Sequence, residues 1–178
     1  MININNKTNI DSNKIMQIIS LLPEEYTDMN VEVRIYGTRW SLLKTILNKK
    51  EQSIKFIDFL AILKVGIIGG YSGEETNKIE LYLFNVPKSK EEYRVQNLVF
   101  TIFHELRHKY QNQYMRDFYN NEIKKCQGLS TMSKKIISKD LNLMIEKDAD
   151  KFAYDFYIEN QDKIDKIFEF DYEYDISP

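Results

Sequence analysis

Histidine is nearly absent from this chain. Only two occur in 178 residues, which excludes any metal site built on three imidazoles. Cysteine is scarcer still. With Cys126 alone, no disulfide can form within the chain and no site of several thiolates can be built, which agrees with a reducing compartment. Long apolar runs are also missing. The most apolar stretch, 56–68, is broken by Asp58, Lys64 and Gly66, so no membrane span is predicted. Residues 1–7 have neither an apolar core nor a small-residue cleavage site, so no secretory signal is expected. Nor is there a dominant charge: the net charge is −2, with both signs mixed along the chain. No basic field favours nucleic acid. These absences predict a cytoplasmic protein with no direct nucleic-acid binding and no membrane association. At this length a single domain over residues 1–178 buries roughly 70% of its unfolded surface without covalent staples.

The patterning gives an order of elements. Apolar residues at 15, 18, 19 and 22 predict a helix over 11–22, with Asp11 or Ser12 as its cap and Pro23 beyond it. Val31, Val33 and Ile35 alternate with Glu32 and Arg34, predicting a strand with one wet face that Gly37 closes. Residues 38–63 carry helical patterning. An apolar run at 65–71, a polar turn and a second run at 79–84 predict a hairpin. A long helix over 91–119 follows, with Val95, Leu98, Val99, Ile102, Leu106 and Tyr110 as its stripe. After a connection around 128–131, a further helix is predicted over 139–159 on the spacing of Leu141, Ile145, Ala149, Phe152 and Phe156. Helix, small sheet, helices predicts an α+β fold.

Both histidines fall in His104-Glu105-Leu106-Arg107-His108, the pattern H-E-x-x-H. Residues four apart share a helix face, so both imidazoles can reach one metal ion. Glu105 stands where a carboxylate could take a proton from water at that metal. The motif predicts a zinc-dependent hydrolase, and a peptidase first of all. Catalytic zinc takes three protein ligands, and no histidine remains, so the third is Asp, Glu or Cys. Glu146 is the best candidate: it lies on an amphipathic helix far enough downstream to fold back. Ala149 and Ala153 on that helix allow close approach. Asp150, one turn from Glu146, could accept the free N–H of a ligating imidazole and fix its tautomer. Asp148 lies roughly 200° around the helix from Glu146 and is a weaker candidate. Cys126 reads as an incidental thiol.

His104 to His108, followed by Glu146-x-Asp148-Ala149-Asp150-x-Phe152-Ala153, resembles the gluzincin pattern of the ImmA/IrrE-type metallopeptidases. The likeness covers about residues 79–158. It implies a compact zincin-like domain, in which a small, mostly antiparallel sheet packs on the H-E-x-x-H helix and a second helix carries the third ligand. It implies one zinc held by His104, His108 and Glu146, with Glu105 activating water and passing the proton to the leaving amine. By the same likeness, the strand at 79–84 would align an extended substrate as an edge strand. A hydroxyl would stabilise the oxyanion, with Tyr154 the first candidate and Tyr157 and Tyr71 the others. The implied substrate is a specific intracellular protein, such as a transcriptional repressor.

Other readings of the same residues stay open. The site could serve a zinc-binding regulatory or interaction domain with little hydrolysis, or hydrolyse something other than a peptide bond. Manganese or iron suits the same ligands, since availability helps decide loading. The carboxylates of 146–150 could form a solvated face, and the aromatics of 152–157 read as core more than as catalytic groups. Arg107 reads as solvent-facing, with binding of an acidic substrate side chain as the alternative. From Glu169 acids alternate with large apolar residues, which predicts an edge strand in the tail 169–178, either docked on the domain or lying in the substrate groove.

Overall fold

Strand β1 (Ile2–Lys7) opens the chain, and helices α1 (Ser12–Ile19) and α2 (Glu24–Thr27) carry it to strand β2 (Val31–Tyr36). Helix α3 (Arg39–Leu47), strands β3 (Gly69–Ser72) and β4 (Lys78–Tyr82) and a 3-10 turn (Leu83–Asn85) follow. The C-terminal half holds α4 (Glu91–Tyr114), α5 (Arg116–Lys124), α6 (Met144–Glu159) and α7 (Gln161–Phe168). The computed structural model describes residues 1–48, 62–63, 66, 68–72, 77–87, 91–125 and 143–170. Cys126, Leu141, the connection at 128–131 and the tail beyond Phe170 lie outside them.

The fold is α+β, as expected, but the sheet differs from the expectation. Its strand order is β1-β2-β4-β3. β1 and β2 run parallel, as do β2 and β4, and only β3 and β4 are antiparallel. The sheet is therefore mixed, not mostly antiparallel. The connections explain it: helices lie between β1 and β2 and between β2 and β4, giving the chain room to cross back, whereas β3 and β4 form a hairpin. The strand predicted at 79–84 ends at Tyr82 and lies inside the sheet, leaving β3 at the edge.

Period-two patterning gives the sheet two unlike faces. Val31, Val33, Ile35, Ile79 and Leu81 point into the main core, with Ile15 and Ile18 of α1 and Val95, Leu98, Val99, Ile102 and Leu106 of α4. The other face carries Arg34, Glu80, Tyr36 and Tyr82, all buried. There Tyr36 and Tyr82 stack at 5.9 Å and pack with Leu42 and Ile46 of α3. Both tyrosine hydroxyls donate toward the Glu80 carboxylate, at 3.5 and 3.2 Å.

Local signals set several boundaries. Asp11 caps α1, its side chain accepting from the Asn13 amide at 2.8 Å. The long helix predicted to 119 stops at Tyr114, because Met115 leaves helical geometry (φ −120°, ψ 42°) before α5 begins. At the C-terminal end Glu169 adopts φ 58° and caps α7, so the predicted strand does not start there. The Phe170 amide bonds back to the Asp165 carbonyl at 3.0 Å.

Candidate metal centre

Helices α4 and α6 pack side by side, and the site sits between them. Ala149 and Ala153 are fully buried at the contact, where larger side chains would hold the helices apart. Phe103 meets Phe156 edge-on at 5.0 Å further along the seam. The start of α6 has no cap of its own: Leu143 offers no side-chain hydrogen bond. Glu122 of α5 supplies one instead, its Oε2 accepting from the Met144 amide at 2.9 Å. Glu146 then falls in the first turn of α6, where the helix dipole favours an anion.

Three ligand atoms converge there. His104 Nε2 and His108 Nε2 lie 3.0 Å apart, and Glu146 Oε2 lies 3.4 Å from the first and 3.5 Å from the second. The group His104, His108 and Glu146 could hold a metal ion. The spacing supports the fit. Zinc bonds of about 2.0–2.1 Å in tetrahedral geometry set ligand atoms about 3.3–3.4 Å apart. Both histidines are buried and Glu146 is half-buried, and two aromatic nitrogens with one carboxylate oxygen suit a borderline cation.

Electrostatics make the same point. Burial alone pulls the His104 pKa down, but the Asp150 and Glu146 carboxylates outweigh it and hold the imidazole at about 10 without metal. Burial pushes Glu146 up, yet contacts with both histidines hold its carboxyl well below the ordinary range. A proton on His104 thus does, imperfectly, what a cation between the three groups would do.

Each imidazole is held from behind by a different group. Asp150 Oδ1 lies 2.8 Å from His104 Nδ1, where sequence reasoning put it. Nδ1 makes no aligned hydrogen bond, so this is a close charge contact. Behind His108, Gln111 Oε1 lies 2.9 Å from Nδ1. Gln111 was not singled out from sequence, although it lies one turn beyond His108 on the same face.

Arg107 corrects a second expectation. It is not solvent-facing: its Nε and Nη2 grip the Asp148 carboxylate at 2.7 and 3.2 Å, and its Nη1 donates to the Tyr26 hydroxyl at 2.7 Å. The guanidinium also lies over the rings of Tyr110 and Phe152. Asp148, which is not one of the three converging groups, is thus committed to a bridge between helices.

Glu105 is buried against the sheet. Gly69 of β3 is what lets α4 come so close. A Cβ there would lie 2.5 Å from Thr101 Cγ2 and 3.1 Å from Glu105 Oε1. Asn77, in the left-handed region at φ 50°, anchors the hairpin by accepting from Lys109 Nζ at 2.6 Å. Of the hydroxyl candidates, Tyr154 is 61% exposed on α6 and Tyr157 is partly buried against the core. The Tyr71 side chain is outside the described part of the molecule.

Compared with known proteins, the chain matches no family model, no curated protein and no solved structure. No helix among the described residues is long and apolar enough to cross a membrane.

Proposed function

We propose that this chain is a zinc-dependent metallopeptidase of gluzincin type, as its resemblance to the ImmA/IrrE-type enzymes implies. The observation that carries the reading is the convergence of two imidazole nitrogens and one carboxylate oxygen at near-tetrahedral spacing, with Glu105 on the same helix. His104, His108 and Glu146 would hold the ion, and Asp150 backs His104. Bound zinc supplies a Lewis acid that polarises a carbonyl and lowers the pKa of water. Glu105 takes the proton as water attacks the peptide carbonyl, then delivers it to the departing amine. Glu105 is buried, with its Oε1 beside Gly69 of β3.

The substrate binds extended along β3. Among the described residues β3 has a strand on one side only, and its other edge is open to strand addition. Tyr154 is the hydroxyl best exposed to meet a developing oxyanion. The substrate is a specific intracellular protein, with a transcriptional repressor as the first class to try.

Metal content and cleavage test this together. The purified protein is expected to carry about one zinc per chain. Glu105→Gln keeps that zinc but loses about 10²- to 10⁴-fold in cleavage rate. Zinc binding with no cleavage of any repressor or unfolded protein would favour the regulatory-domain reading. No zinc uptake at neutral pH would end both.

A further inference from the structure

We propose that Gln111 is a positioning residue that fixes His108 in the tautomer able to ligate metal through Nε2. The proposal rests on the metal-site reading for its consequence, but its geometry stands alone. Gln111 is fully buried, and its amide nitrogen faces two acceptors: the Ile145 carbonyl at 2.9 Å and Asp148 Oδ2 at 2.8 Å. Turning the amide over would aim its oxygen at both of them, setting three acceptors face to face. The amide orientation is therefore dictated, and Oε1 must face His108 Nδ1 at 2.9 Å. An acceptor at that distance requires Nδ1 to carry the hydrogen. Neutral His108 then has its free electron pair on Nε2, the atom that faces His104 and Glu146.

The same side chain also sets where the third ligand stands. Ile145, whose carbonyl Gln111 holds, immediately precedes Glu146 on α6. Asp148, its other acceptor, is held in turn by Arg107 of α4. One amide thus joins the His108 ring, the backbone beside Glu146 and the bridge between helices. A neutral amide does this without adding charge. A carboxylate at 111 would stand against Asp148.

The chain's two histidines make the test direct. Nitrogen-15 NMR of histidine-labelled, metal-free protein at mildly alkaline pH reads each ring's tautomer. Zinc titration of the same samples reads affinity. Wild type is expected to show His108 protonated on Nδ1. Gln111→Leu should shift it toward Nε2–H and weaken zinc binding about 10- to 100-fold. Gln111→Glu, which keeps an acceptor, should retain the Nδ1–H form even where its stability falls. Wild-type His108 protonated on Nε2 overturns the proposal without any variant. So does a folded Gln111→Leu protein with unchanged tautomer and zinc affinity. If wild type takes up no zinc, the metal reading fails by itself, and the tautomers still decide the role of Gln111.

Discussion

Two polar clusters lie between the same pair of helices, and they are built on opposite principles. In the first, Arg107 of α4 meets Asp148 of α6, Tyr26 and two aromatic faces. Donor faces acceptor at every contact, and nothing further is needed. In the second, His104, His108 and Glu146 turn electron pairs toward one another. Without metal that arrangement holds together only by keeping a proton on His104 far above its ordinary range. A complementary cluster stabilises the folded chain; a like-with-like cluster stores affinity for a cation.

Removing Glu146 should separate the two clusters most sharply. Glu146→Ala deletes one of three ligands and is expected to weaken zinc binding at least about 100-fold, or about 2.7 kcal/mol. The Arg107 bridge would stay intact and Asp150 would still face His104, so metal-free stability should fall by less than that. Metal titration and urea unfolding on one preparation read both quantities. Equal losses in the two would erase the distinction.

Arg107→Leu is the reverse experiment. It leaves Asp148 without its cation between two helices, and breaking a buried pair costs about 3–5 kcal/mol. The Asp148 side chain is 34% exposed, so solvent screening brings the expected loss to about 2 kcal/mol. Zinc affinity should fall less than in Glu146→Ala, because no ligand is removed. Gly69→Ala probes the approach of α4 to the sheet edge. Its Cβ would overlap Thr101 and crowd Glu105, at a cost of about 1–2 kcal/mol for the forced shift. Cleavage should drop in this variant while zinc content does not.

The convergence of His104, His108 and Glu146 was legible in sequence because it depends on helical period, a local property. His104, His108, Glu146 and Asp150 follow from turns of a helix, and the scarcity of histidine left few alternatives. Ala149 and Ala153 announced the close approach by their size. The Arg107 bridge was not legible, since a basic residue between two histidines looks the same whether it meets solvent or Asp148. Glu122 caps α6 from another helix, and nothing around it marks a cap. Sheet direction was misread for a similar reason. Alternation locates a strand such as β2 but does not state which neighbour it takes, and the helices between strands were the better guide. Two elements were readable yet passed over: β1, where Ile2 and Ile4 alternate with asparagines, and α7, where Ile164, Ile167 and Phe168 repeat at helical spacing.

The last expected effect is one of pH, and its sign distinguishes the clusters. His104 has a folded pKa near 10 against an ordinary 6.5, so its proton stabilises the metal-free protein fully below about 6.5. That contribution drains away as pH rises through 10. Glu146 is shifted the other way: its contribution is present above about 4.5 and is lost as pH falls below that. The Arg107 bridge adds no slope in this window, because its guanidinium is held up and the Asp148 carboxyl down. Metal-free stability should therefore decline from pH 6.5 toward 10, by at most about 1.4 kcal/mol per pH unit for one proton. With saturating zinc the slope should flatten or reverse, since protons no longer compete for the imidazoles. Urea midpoints across that range, with chelator and with zinc, measure both curves. A metal-free protein that grows more stable over the same interval would show that His104 and Glu146 are not coupled through a shared proton, and the cluster would lose its claim to be a cation site in waiting.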